Sequence, residues 1–310
     1  MKLTKLRELG NGRAKGVLPV GGGEGLPVWS LRGRQDGPTL VLTAGVHGCE
    51  YVGILTLRRL FDSLETASLR GRVLLLPLVN GEGFFTGSKQ VVPSDGKNLN
   101  RVFPPPPDGT RAERIARAVV EQVYPQADFL LDLHGGDVNE AMTPLVFFPA
   151  AAPDAVTERA RAAAKHLEVD YRIPSTAKNG LYSYAAQTGL PALLMEVGGM
   201  GLWLREQVEL ELRSLQSLMG FLDMGPQAVE NLAQKEARRM CYAEASGQGL
   251  WLPRVAPGQR VCTGEVLGTV EDLDGQELET IRAQWDGIVL YHTLSLGVSG
   301  GDMLVTYGQF

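Results

Sequence analysis

The stretch LTAGVHGCEYVGILTLRRL, Leu42 to Leu60, decides the fold. An apolar, β-like run ends in a glycine turn that holds His47. Glu50 follows three residues later, at the head of a segment (50–64) whose Val52, Leu55 and Leu60 fit one helix face. A strand that runs through such a turn into a helix belongs to an α/β sheet. Ligands of open α/β sheets bind at the carboxyl ends of the strands. Two polar, metal-competent side chains at a buried strand's exit therefore predict a site there. Gly45 and Gly48 let the backbone turn around them.

The same pattern recurs twice. LLDLHGG carries His134 and LLMEVGG carries Glu196, each at the end of an apolar run that meets glycines. The chain has four histidines, and two of them occupy this kind of position. Two imidazoles and one carboxylate are a common donor set for a catalytic metal with one position left open. A second carboxylate, outside the donor set, is then needed to take a proton and pass it to a leaving amine. Glu196 can fill that role. His166, in the helix RARAAAKHLEV, reads as a surface residue, and His292 sits in a later β segment.

Between these landmarks, apolar strands alternate with helices. GPTLVLTAG and GRVLLLPLVN (71–80) read as buried strands. Residues 109–124 read as a helix capped by Thr110 with Glu113 in the capping-box position, and further helices are predicted over 153–168, 180–188 and 204–223. The pattern predicts an α/β sheet with helices on both faces. The segment Gly81 to Asp108 is long and irregular, which predicts a functional loop. It contains Asn100 and Arg101 between prolines, where an arginine fork can hold a carboxylate through two parallel hydrogen bonds.

The character changes near 225–238, a polar linker after the glycine-rich start of the chain, including GGGEG at Gly21 to Gly25, has long passed. The division predicted is a 1–235 α/β domain and a 236–310 β domain. The tail repeats itself faintly. Residues 249–267 lie over 287–304, which predicts a small barrel made of two halves.

Composition narrows the function classes. The chain of 310 residues is 44% hydrophobic and 21% charged, with a formal net charge of -5, so no nucleic-acid partner is expected. No apolar run reaches the ~18 residues needed to span a membrane, and no secretion signal is read at the start. Cys49, Cys241 and Cys262 are too few and too scattered for a disulfide framework or a cysteine zinc site, which fits a cytoplasmic protein.

The motifs GVHGCE, GKNLNRVFP, DLHGG and MEVGG, in this order, resemble the succinylglutamate desuccinylase and aspartoacylase family of zinc amidohydrolases, relatives of the zinc carboxypeptidases. The resemblance spans nearly the whole chain, because the family often ends in a small β domain. It implies a carboxypeptidase-like mixed sheet and one zinc ion per chain, with His47, Glu50 and His134 as ligands. It implies Asn100 and Arg101 as the pair that holds a substrate carboxylate, and Glu196 as the residue that activates water. The implied reaction is hydrolysis of the amide of a small N-acyl amino acid or related N-acyl amine.

One departure stands out. The family carries a further arginine shortly before the DG turn, which steadies the developing oxyanion, and TGSKQVVPSDGK contains none. Lys89 is the nearest cation. In some relatives the C-terminal domain supplies a tyrosine to the site, for which Tyr291 is the candidate here. The tail also resembles biotinyl and lipoyl carrier domains, yet the carrier turn falls near Gln276 and no lysine follows Lys235, which excludes a swinging arm. Two other functions compete with deacylation: a zinc carboxypeptidase acting on peptides, and a degenerate binding protein that keeps only the fold. An exposed β tail also makes a homo-oligomer an expectation.

Overall fold

The computed structural model describes residue 6 and residues 9–22, 24–225 and 228–310; Gly23 of the glycine run and Pro226 and Gln227 of the linker lie outside the described residues, as do Met1–Lys5, Arg7 and Glu8. In chain order the first elements are β1 (Gly12–Gly21), β2 (Glu24–Arg32), β3 (Gln35–Ala44), α1 (Val52–Ser63), β4 (Arg70–Leu76), α2 (Gly81–Thr86), β5 (Val91–Val92), β6 (Lys97–Asn98) and α3 (Arg111–Ala118). There follow β7 (Phe129–His134), β8 (Glu140–Met142), β9 (Leu145–Pro149), α4 (Asp154–Ala164), β10 (Tyr171–Ser175), α5 (Leu181–Gln187), β11 (Ala192–Glu196), α6 (Arg205–Phe221) and β12 (Lys235–Glu236). The chain ends in β13 (Arg239–Glu244), β14 (Gly249–Pro253), β15 (Arg260–Val261), β16 (Val266–Glu271), β17 (Glu277–Arg282), β18 (Gly287–Thr293), β19 (Gly297–Val298) and β20 (Met303–Gln309).

The large sheet has the order β1-β2-β4-β3-β7-β11-β9-β10-β12. Its centre, β4-β3-β7-β11, is parallel, so β3, β7 and β11 all end at the same edge. Each central strand is buried on both faces, and alternate residues serve opposite layers. Leu40, Leu42 and Ala44 of β3 pack with α1, α4 and α6, whereas Val41 joins the layer that holds α3 and α5. Among the described residues no helix is long and apolar enough to cross a membrane.

The C-terminal strands correct one expectation. They form two open sheets, β13-β20-β18-β15 and β17-β16-β14-β19, and not a closed barrel. The sheets share a core that includes Trp251, Leu267, Val289 and Tyr307. The internal repeat is real in the pairing. Gly249 of β14 sits opposite Val298 of β19, while the corresponding Gly287 of β18 sits opposite Val261 of β15. Each half lends its first strand to the other. The short β8, from the α/β part of the chain, pairs antiparallel with β18 and so joins the first of these sheets.

One buried group stands apart from the site. Glu211 of α6 is fully buried, and neither of its carboxyl oxygens makes a hydrogen bond among the described residues. The Thr56 hydroxyl on α1 interacts with it without hydrogen-bond geometry. Burial pushes its pKa from 4.5 up to about 8. A raised acid keeps its proton in the folded state and is free to lose it in the unfolded state. Stability is therefore full below about pH 4.5 and is lost as pH rises toward 8. Urea unfolding is expected to show wild type losing roughly 3 kcal/mol more than Glu211→Gln between about pH 5 and pH 8. Parallel pH profiles for the two proteins would remove this account.

Candidate active site

The three parallel strand ends deliver the side chains that matter. The turn between β3 and α1 carries His47 and Glu50, β7 ends on His134, and β11 ends on Glu196. Glu196 lies opposite His134 in register. The turn is tight for a reason in the sequence: a Cβ on Gly48 would sit 2.2 Å from the backbone carbon of Gly83, where α2 crosses it.

His47, Glu50 and His134 converge, with one donor atom from each lying within 4.8 Å of the others. All three are buried. The Glu50 carboxylate sits between the rings, with His47 Nδ1 2.6 Å from Oε1 and His134 Nδ1 2.8 Å from Oε2. Oε2 nevertheless has no hydrogen-bond partner among the described residues, because the His134 approach lacks the required geometry. A buried carboxylate with one orphaned oxygen, set between two imidazole nitrogens, is an arrangement that a divalent cation completes.

The far side of each ring is braced. His134 Nε2 lies 3.0 Å from Asp132 Oδ2, and Asp132 Oδ1 accepts from the Thr43 hydroxyl at 2.6 Å. His47 Nε2 lies 3.2 Å from Asn98 Oδ1. With Nε2–H donating outward, both Nδ1 lone pairs are left for a cation, as in carboxylate–histidine–metal sites. Asp132→Asn is expected to weaken metal affinity 10- to 100-fold at unchanged stoichiometry, read by competition with a chelator. Equal affinity in the two proteins would make Asp132 only a packing residue.

Electrostatics follow the same geometry. Burial opposes the Glu50 charge, yet His47 and His134 hold its pKa down to about 2. Burial pulls His134 down, but Asp132 and Glu50 outweigh it and hold the imidazole well above its usual value. Burial, with Glu50, Glu140 and Asp132 nearby, keeps Glu196 well above the usual carboxylate range despite the opposing pull of His134.

These groups open into a cavity of about 410 Å³, near the small end of the ~300–1,000 Å³ typical of ligand pockets. Asn100 and Arg101 line it, on a single 3₁₀ turn, Leu99–Arg101. Asn100 Oδ1 accepts from the Leu181 N–H at 2.8 Å, which fixes the amide so that its NH2 group is the free end. Tyr291 lines the cavity too, and Tyr242 joins it from β13. Both tyrosines lie opposite Thr306 of β20, on neighbouring strands.

Lys89 stands at the rim of the cavity. Its ammonium donates to Asn139 Oδ1 at 2.5 Å and stands 3.8 Å from Asp137 Oδ2, while the adjacent Gln90 is the residue that lines the cavity. His166 stacks on Phe221, and His292 Nδ1 contacts its own strand at Thr293 O. The sequence reading passed over Asp132, Asn98, Gln90, Glu140 and Tyr242. Two of these carry a local signal: Asp132 and His134 share a strand face two residues apart, and so do Asn98 and Asn100 in spacing. Glu140 and Tyr242 carry none, because long-range strand pairing brings them in.

Comparison with known proteins identifies the family. Residues 36–222, more than half of the chain, match the succinylglutamate desuccinylase/aspartoacylase catalytic domain. The chain is 29% identical over 296 residues to the N-alpha-acetyl-L-2,4-diaminobutyric acid deacetylase of Halomonas elongata, covering 92% of this chain and 85% of that one. A succinylglutamate desuccinylase/aspartoacylase structure from Rhodobacter sphaeroides superposes with a TM-score of 0.85 at 26% identity, over 97% of this chain and 96% of that one. The product-bound ectoine utilization protein EutE (DoeB) of Ruegeria pomeroyi shares the fold, with a TM-score of 0.88 at 24% identity and 99% of both chains covered. The chain belongs to the succinylglutamate desuccinylase/aspartoacylase family.

Proposed function

We propose that the protein is a zinc-dependent deacylase that hydrolyses the amide of a small N-acyl amino acid. The observation that carries this reading is the convergence of His47, Glu50 and His134, braced from behind, beside a carboxylate that is not part of the donor set. His47, Glu50 and His134 would hold the zinc. When bound, zinc polarises the substrate carbonyl and makes water more acidic. Two imidazoles and one carboxylate suit zinc by donor type.

The residues of the chain do the rest. Glu196 takes a proton from water and hands it to the departing amine nitrogen. Burial holds its pKa well above the usual carboxylate range, and positive charge at the cluster would lower it. Arg101 and the Asn100 amide hold the substrate carboxylate. In place of the family arginine, Gln90 offers an amide N–H to the cavity, a weaker donor for a developing oxyanion. Tyr242 and Tyr291 wall the cavity from the C-terminal sheet, which favours a small molecule over a peptide. The relative from Halomonas elongata is named for deacetylation of a small amino acid, which supports the same class.

The test is metal content of the purified protein, followed in the same sample by hydrolysis of N-acetyl and N-succinyl amino acids. About one zinc per chain with turnover of one class is the expected result. Protein that takes up no metal after zinc is added back would sink the reading.

A further inference from the structure

Four carboxylates line the cavity: Glu50, Asp137, Glu140 and Glu196. Three of them have work. Glu50 faces the two imidazoles, and Glu196 stands beside the cluster. Asp137 accepts from the Val138 N–H at 2.6 Å and the Cys49 thiol at 3.2 Å, with Lys89 Nζ 3.8 Å from its other oxygen.

Glu140 is different. It makes a single side-chain hydrogen bond, from the Asp137 N–H to Oε2 at 3.3 Å, and no ion pair among the described residues. Its backbone, in contrast, is locked. Its N–H donates to Asp137 O at 3.0 Å, and its carbonyl accepts from the Met200 N–H at 3.0 Å. A Cβ on Gly199, whose φ is +153°, would lie 2.5 Å from that carbonyl oxygen, so the position admits only glycine. Pairing with Thr293 of β18 fixes it further. The carboxylate is thus held in the cavity wall, largely desolvated, with no cation at ion-pair distance among the described residues; Lys89, occupied by Asp137 and Asn139, acts on it only from farther off. Burial, with Glu50 and Asp137 nearby, raises its pKa to about 7 against the opposing pull of the Asp137 N–H and the Lys89 charge. A positive charge on a bound molecule would relieve both the desolvation and the repulsion.

Arg101 belongs to a different wall. Its turn is tied to the start of α5 through Asn100, whereas Glu140 is tied to the 198–200 turn and the C-terminal sheet. The cavity therefore offers a cationic group and an anionic one on separate walls, with the metal-competent cluster among them.

We propose that Glu140 is a specificity-determining residue that receives a side-chain ammonium group of the substrate, so that the preferred substrates are N-acyl diamino acids. The proposal rests on the deacylase reading above. The substrate carboxylate is held at Asn100 and Arg101, the scissile amide lies at the cluster, and the free amine donates to the Glu140 carboxylate, with the Tyr242 and Tyr291 hydroxyls lining the same space.

The test compares kcat/KM of zinc-loaded wild type and Glu140→Gln on N-acetyl-2,4-diaminobutyrate and on N-acetyl-2-aminobutyrate, which lacks only the amine. Wild type is expected to favour the diamino substrate. The ratio of the two kcat/KM values is expected to fall roughly 10- to 100-fold in Glu140→Gln, the size of one hydrogen bond to a charged group. Glu140→Asp, which keeps the charge, is expected to retain part of the preference. The same ratio in all three proteins, or a wild type that prefers the neutral substrate, overturns the proposal. If wild type hydrolyses neither of these substrates nor any N-succinyl amino acid, the deacylase reading has failed by itself. Calorimetry then decides on Glu140 without turnover, by comparing 2,4-diaminobutyrate with 2-aminobutyrate on the zinc-loaded protein. Tighter binding of the diamine that Glu140→Gln abolishes supports the proposal, and equal binding overturns it.

Discussion

Glu196→Gln is expected to keep its full zinc content and to lose about 10²- to 10⁴-fold in kcat, the contribution of a positioned general acid–base. The substitution is nearly isosteric, and the residue lies outside the His47–Glu50–His134 set. Pairing of β11 with β7 holds the side chain beside His134 whether or not it carries a charge. Gln cannot accept a proton, so only the transfer step is removed, and KM should move little. Metal analysis and steady-state kinetics on one preparation give both numbers. A variant within tenfold of wild type would mean that another group takes the proton. A variant that had lost its zinc would mean that Glu196 is a ligand.

His134→Ala is expected to abolish activity by a different route, through loss of the metal itself. It removes one of three protein donors, and it strips two buried carboxylates of their partner. Among the described residues Asp132, fully buried, keeps only the Thr43 hydroxyl, and Glu50 keeps only His47. Removing one partner of a buried ion pair costs roughly 3–5 kcal/mol. The variant should therefore contain little zinc after dialysis and also melt well below wild type when both are metal-free. Loss of zinc with an unchanged metal-free melting temperature would show that the Asp132–His134–Glu50 chain does not stabilise the fold. His47→Ala separates the effects: it too should lose zinc, but it leaves Asp132 paired.

What the sequence disclosed follows a physical rule. His47, His134 and Glu196 stand where apolar runs meet glycine, and a parallel sheet aligns such ends at one edge, so three separate local patterns point to one place. Asn100 and Arg101 lie in a loop too long to be mere connection, but their role is read from the resemblance of GKNLNRVFP to the family and not from the loop alone. Glu140 and Tyr242 were not visible. Neither belongs to a motif of its own, and each enters the cavity through pairing with a strand far along the chain, as in Glu140 opposite Thr293. The tail shows the same limit. Its repeat was legible because like halves have like sequences, but closure into a barrel or division into two sheets depends on register and twist, which local patterns do not encode. Lys89 illustrates a third limit. Lys89 and Gln90 are adjacent in a bend before β5, and there a shift of one position exchanges a rim lysine for a cavity glutamine, a register that the motif alone does not fix.

The shared strand β8 bears on how such an enzyme can change over generations. Glu140 sits at one end of β8 and Met142 at the other, and the whole strand is stitched to β18 of the tail. Substitutions on the outer surface of the C-terminal sheets can tilt that stitch and so reposition the wall of the cavity. None of them touches His47, Glu50, His134 or Glu196. New substrate preferences can thus be explored at sites remote from the chemistry, while the hydrolytic apparatus is inherited intact.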